Sequence, residues 1–112
     1  MRSNHKISHA LAAAALALSA VPAHAAEADQ LALGKKLFTQ SVPACAVCHT
    51  LKDAGSEGAI GPVLDELKPN AARVANALRN GVGNMPAYKA TLSEEQIQAL
   101  ARYVSKASGA AQ

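Results

Sequence analysis

Rings are scarce in this chain of 112 residues, which has one Phe, two Tyr and no Trp. β-Sandwiches and barrels draw on aromatic and β-branched residues. Here Ala dominates the apolar half, so helix formers prevail and an all-α fold is expected. There are only two Cys, which excludes the disulfide framework that holds many small exported domains together. No cluster of five or more Lys and Arg occurs and the net charge is a modest +3, which argues against a nucleic-acid partner. No apolar run reaches the length of a membrane-spanning helix. The length permits one small domain and no more.

Residues 1–25 read as a secretory leader rather than as part of that domain. Arg2, His5 and Lys6 form a basic start, Ala10 to Leu18 is a short apolar run, and Ala23-His24-Ala25 has the A-x-A form of a cleavage site. Cleavage after Ala25 is expected, leaving residues 26–112 as the mature domain in a periplasmic location. The leader carries Arg2 and Lys6 and no acid, so the net charge falls by two when it goes. Three His and the initiator Met go with it. The exported part keeps one imidazole, His49, one thioether, Met85, and both thiols, Cys45 and Cys48.

Three helices are predicted. The first covers about 29–41, with Leu31, Gly34 and Phe38 on one side. A glycine inside a helix costs up to about 1 kcal/mol relative to Ala, so close approach of another helix at Gly34 is the expected compensation. The second follows Asn70, an N-cap, and stops at Asn80-Gly81. The third runs over about 94–107 behind a Ser93/Gln96 capping box, with Ile97, Leu100, Ala101 and Val104 on one face. Residues 50–62 and 81–92 are rich in Gly and Pro and read as loops, with no strand anywhere.

The core candidates, among them Phe38, Val47, Ile60, Leu64, Leu67, Val74, Leu78, Ile97, Leu100 and Tyr103, make a thin set for an independent domain. Small domains supplement such a core with disulfides or a cofactor. A Cys45–Cys48 disulfide would close a tiny loop and restrain little of the unfolded chain. A large apolar cofactor would contribute far more, on the order of 10 kcal/mol for several hundred Å² of buried surface.

Cys45-Ala46-Val47-Cys48-His49 carries the chemistry. C-x-x-C-H reads as a covalent haem attachment site: two thiols on one helical turn reach the two vinyl groups on a porphyrin edge, and the adjacent imidazole meets the iron. A redox dithiol needs a βαβ context that is lacking, and a structural zinc site needs four ligands. A plain disulfide leaves His49 without a purpose. The haem reading requires a sixth ligand or an open face. Met85, in a Gly-rich loop and held extended by Pro86, supplies a thioether for it.

These features resemble the monohaem class I cytochromes c of the short bacterial and algal kind. Besides the C-x-x-C-H motif, the resemblance rests on Gly61-Pro62, on Asn84 to Tyr88, and on Leu92 to Ile97 leading to Tyr103-Val104. It implies three main helices, with short helical turns and loops wrapped around one covalent haem c. Cys45 and Cys48 would be the thioether positions and His49 and Met85 the axial ligands. The Pro62 carbonyl would accept from the His49 ring, and Gly34 and Phe38 would cross the last helix at Tyr103. The stretch from Asp53 to Asp65 is similar to small cytochromes that serve periplasmic molybdenum sulfite dehydrogenases.

The function implied is one-electron shuttling between Fe(III) and Fe(II), with no catalytic residues. A sulfite dehydrogenase would be the donor, and an oxidase or another cytochrome the acceptor. Two other readings stay open: a haem enzyme or sensor with a displaceable sixth ligand, and a permanent cytochrome subunit of an oxidoreductase. Leu64, Val74, Leu78, Leu100 and Ile60 are expected to wall the haem. Ala46, Val47, Pro86 and Ala87 are expected to form an apolar docking patch, rimmed by Lys52 and Lys89.

Overall fold

A run of strong helix formers, from Ala23 through Ala28 to Leu37, sustains the first and longest helix, α1 (Ala23–Gln40). In this computed structural model, which describes residues 14–20 and 22–111, α1 begins several residues before the predicted start. Its first turn contains the A-x-A residues of the expected cleavage site. Most of the expected leader lies outside the described residues, and residues 14–20 are exposed without regular structure. Downstream come a single-turn helix α2 (Cys45–Cys48), strand β1 (Thr50–Leu51), a 3-10 turn (Lys52–Ala54), strand β2 (Ser56–Glu57) and a second single-turn helix α3 (Leu64–Leu67). Helices α4 (Ala71–Asn80) and α5 (Glu94–Ala107) complete the order.

The capping chemistry acts where the sequence places it. The Asn70 side chain accepts from the Arg73 amide at 2.8 Å. At α5 the Gln96 amide donates to the Ser93 hydroxyl at 3.1 Å, and the Gln96 side chain accepts from the Ser93 amide at 2.8 Å. Each bond satisfies an amide that the helix geometry leaves without a partner. Gly81, at φ 71°, then turns the chain out of α4. Among the described residues no helix is long and apolar enough to cross a membrane.

The architecture is all-α, with α5 packed against both α1 and α4. At the α1–α5 crossing Gly34 is buried. A Cβ built there would collide with the Ala99 carbonyl oxygen and with Tyr103 Cβ. One turn further along, Phe38 meets Tyr103 edge to face, with centroids 6.1 Å apart and planes at 66°, an arrangement that the ring quadrupoles favour.

Three expectations need correction. The loop after α2 is not strandless: Thr50 pairs with Glu57 and Leu51 with Ser56 in a minimal antiparallel ladder. The pairing is too short to show in periodicity, and the buried Ser56 hydroxyl braces it by accepting from the Leu51 amide at 3.0 Å and donating to the His49 carbonyl at 2.8 Å. Val47, Ile60 and Leu67 are exposed rather than core, at 62%, 75% and 38%. Two large core side chains went unpredicted: Leu51, fully buried within the ladder, and Tyr88.

Candidate functional site

Local hydrogen bonds hold the C-x-x-C-H segment in place. The His49 amide donates to the Cys45 carbonyl at 2.9 Å, closing the single turn that puts both thiols on one short helix. The loop that follows folds back flush on this turn. The Gly61 amide donates to the Cys48 carbonyl at 2.7 Å, and the Thr50 hydroxyl donates to the Gly58 carbonyl at 3.0 Å. A Cβ at Gly58 would come within 2.6 Å of backbone atoms of Val47, Cys48 and His49. Only a glycine permits that approach. On the far side of the 3-10 turn, the Lys52 amide donates to the Asp65 carboxylate at 3.0 Å, and the Tyr103 hydroxyl donates to the Asp53 carboxylate at 2.7 Å.

This packing orients the imidazole. His49 Nδ1 lies 2.8 Å from the Pro62 carbonyl oxygen. A carbonyl can only accept, so Nδ1 is the donor, and in the neutral ring that tautomer leaves the lone pair on Nε2. Gly61 lies against the ring as well, where a Cβ would be 2.5 Å from Cε1, 2.9 Å from Nδ1 and 3.0 Å from Nε2. The ring is therefore gripped between a carbonyl and a glycine.

Cys45, His49, Pro62, Val82 and Met85 line two neighbouring cavities, of about 340 and 240 Å³. Phe38, Leu64, Val74, Leu78, Leu100 and Val104 wall the larger one, and Arg73 is the one charged side chain on its lining. Cys48, Ile60, Pro86 and Tyr88 border the smaller. Of the predicted walls, four lie in the larger cavity, and Ile60 sits at the mouth of the smaller one instead. The five predicted site residues, Cys45, Cys48, His49, Pro62 and Met85, thus come together although Met85 is remote from the others in the chain.

The donor set fits a haem and fits the alternatives badly. Both cysteines are free. Burial pushes the Cys45 thiol up to about 11, whereas a dithiol exchanger needs a depressed thiol pKa. Among the described residues no group of three or more His, Cys, Asp or Glu converges to hold a metal ion directly, so a structural zinc site lacks its ligands. An apolar cavity with an imidazole lone pair, two thiols and a thioether on its walls matches a flat apolar macrocycle with a metal at its centre.

Tyr88 and Arg73 are the contributors that sequence reasoning passed over. Tyr88 is buried, and its hydroxyl donates to the Pro43 carbonyl at 2.6 Å. Burial pushes its phenol up to about 12, so the proton stays on at neutral pH. Tyr88 stood in the motif that carries the resemblance, but nothing in the sequence linked it to Pro43. For Arg73 the only signal was its position in the first turn of α4.

Comparison with known proteins identifies the family. The family described as cytochrome c oxidase, cbb3-type, subunit III matches residues 29–104. The chain is 34% identical over 110 residues to the chloroplastic cytochrome c6 of Chlamydomonas reinhardtii, covering 89% of this chain and 70% of that protein. It is 36% identical over 77 residues to cytochrome c6 of Leptolyngbya boryana, covering 65% of this chain and 87% of that one. The crystal structure of the c-type cytochrome SorU from Sinorhizobium meliloti superposes with a TM-score of 0.71 at 52% identity, over 76% of this chain and 98% of that one. The chain belongs to the monohaem class I cytochromes c, electron-transfer proteins with one covalently bound haem c.

Proposed function

We propose that this cytochrome is a periplasmic one-electron carrier whose haem is tethered by Cys45 and Cys48 and ligated axially by His49 and Met85. The observation that carries the reading is that the imidazole, both thiols and the thioether reach one pair of apolar cavities, with His49 Nδ1 tied to Pro62. When bound, the haem supplies a reversible Fe(III)/Fe(II) couple. The chain's residues do the rest. Pro62 and Gly61 fix the ring so that Nε2 is presented at one position, and the hydrogen bond at Nδ1 raises its basicity. Met85, on the wall of the same cavities, would offer its thioether as the second protein ligand to the iron, and such a ligand would favour the reduced state over the oxidised. The apolar walls disfavour the more highly charged oxidised form in the same sense. Arg73, the one charged side chain on the lining of the larger cavity, would offer a cation to the carboxylates of the bound group.

The docking face follows from the same arrangement. Val47, Pro86 and Ala87 are exposed, as are Ile60, Val82, Lys52 and Lys89. Ala46 is half-buried and contributes less. A small apolar patch of this kind suits partners that must meet and part quickly. The donor we propose is a periplasmic molybdenum sulfite dehydrogenase, with an oxidase or another cytochrome as acceptor. This rests on the character of residues 53–65 and on the 52% identity to a bacterial c-type cytochrome over nearly its whole length. Residues 1–25 would direct export and be removed on translocation.

Optical spectroscopy of the purified holoprotein tests the ligand set. A pyridine haemochrome of the c type and a near-infrared Met–iron band in the ferric state are expected, and Met85→Ala should abolish the band alone. High-spin ferric iron with rapid CO binding by the ferrous form would overturn the carrier reading in favour of an enzyme or sensor. Stopped-flow reduction by a sulfite dehydrogenase turning over sulfite tests the donor separately.

A further inference from the structure

The loop that carries Met85 is weakly fastened. Val82, Gly83, Asn84, Pro86 and Ala87 are all exposed. The reciprocal backbone bonds between Val82 and Met85, 3.1 and 2.8 Å long, shape the loop internally but do not tie it down. At its far end the Tyr88 amide donates to the Leu78 carbonyl at 2.6 Å, which fastens the loop to α4. Among the described residues, one hydrogen bond joins residues 81–88 to the segment that carries the cysteines. It runs from the Tyr88 hydroxyl to the Pro43 carbonyl, at 2.6 Å, two residues before Cys45. The ring that spans this gap is 5% exposed and borders the smaller cavity together with Cys45, Cys48, His49 and Met85.

We propose that Tyr88 is a positioning residue: its hydroxyl latches the Met85 loop to the Cys45 segment and so holds the thioether against the cavity. The inference rests on Met85 being the axial ligand. With the latch closed, the loop has anchors at both α4 and the cysteine segment. With it removed, the α4 anchor remains and the loop can swing away, carrying Met85 with it. An anion entering from solvent then finds the position vacated more often.

Cyanide binding to the ferric holoprotein reads this motion, because cyanide enters only after the thioether leaves. Tyr88→Phe keeps the ring and deletes the hydroxyl. The cyanide association rate should rise roughly tenfold, the change expected when one well-made hydrogen bond is lost. The Met–iron band should fade at a lower temperature than the far-UV circular dichroism of the same sample. Tyr103→Phe is the control: it also deletes a bonded tyrosine hydroxyl, but one directed at Asp53 and away from both cavities. It should lower global stability and leave the cyanide rate unchanged. The proposal is overturned if Tyr88→Phe binds cyanide at the wild-type rate, or if Tyr103→Phe accelerates it equally. A wild-type protein without a Met–iron band would instead refute the ligand assignment itself.

Discussion

Gly61→Ala offers the sharpest test of how the imidazole is held. The added Cβ would stand 2.5 Å from His49 Cε1, 2.9 Å from Nδ1 and 3.0 Å from Nε2. Either the loop or the ring must yield. The loop is pinned by the Gly61 amide on the Cys48 carbonyl and by the Thr50 hydroxyl on Gly58, so the ring moves. Restoring ordinary contact takes a displacement of about 1 Å, which carries the 2.8 Å bond to Pro62 out of hydrogen-bonding range. Overpacking of this kind costs about 1–3 kcal/mol, and the lost bond adds about 1 kcal/mol. Stiffening of the unfolded chain offsets up to about 1 kcal/mol, since Gly61 has no left-handed backbone to lose. A net loss of about 2 kcal/mol lowers Tm by roughly 8–16 °C in a domain of this size.

The same change has an electronic signature. Weakening the bond at Nδ1 makes Nε2 a poorer donor and disfavours the ferric state. A difference of about 1 kcal/mol between oxidation states is roughly 40 mV for one electron, so the potential should rise by that order. Differential scanning calorimetry and spectroelectrochemistry measure the two effects. Gly55→Ala is the control, because its φ of 63° makes the substitution strained while nothing lies within 4 Å of the new Cβ. It should lower Tm and leave the potential alone. If Gly61→Ala keeps both the wild-type Tm and the wild-type potential, the ring is not gripped as described.

Other consequences follow from single contacts. Gly34→Ala should destabilise the α1–α5 crossing by about 2 kcal/mol despite the better helix propensity of Ala, because backbone at Ala99 cannot yield; thermal unfolding checks it. The Arg79 guanidinium and then Gln98 hold the Glu94 carboxyl down to about 2 from 4.5, so its contribution is complete above pH 4.5 and disappears as the pH falls towards 2. Glu94→Gln should therefore lower Tm slightly at neutral pH, with the difference vanishing in that acid window. Haem-free protein should show little helical circular dichroism and no cooperative melt, because the side chains around the larger cavity lose what they pack against.

Much of this molecule was legible in the residues because its strongest signals are local. The α4 and α5 caps, the Gly81 stop and the C-x-x-C-H turn each depend on side chains a few positions apart. Gly34 was legible for the opposite reason: a glycine in a helix is so costly that only close packing explains it. What stayed hidden depends on distant partners. The Tyr88–Pro43 bond spans 45 positions and the Tyr103–Asp53 bond spans 50, and no periodicity encodes either. Ile60 and Val47 misled because an apolar side chain was equated with burial, whereas exposed apolar residues are common on folded surfaces. The early start of α1 reflects a run of alanines whose helix propensity continues past any functional boundary.

The residues that close the core and the residues that wall the cavity are largely the same. Phe38 reaches from the α1–α5 crossing to the larger cavity, and Leu64, Leu78, Leu100 and Val104 are buried in the core while lining it as well. A cofactor held there would therefore not dock on a finished fold but complete a core that is otherwise thin. This separates two kinds of perturbation. Changes at Gly34 or Glu94, away from the cavities, should move stability alone. Changes at Gly61 or Tyr88, in contact with the ligand-bearing segments, should move the potential or ligand exchange as well. A cage that is at once the hydrophobic core resists rearrangement when the iron changes charge, because displacing any wall would open a void in close-packed surroundings. Low rearrangement on electron transfer would follow from walls that serve as core and cage at once.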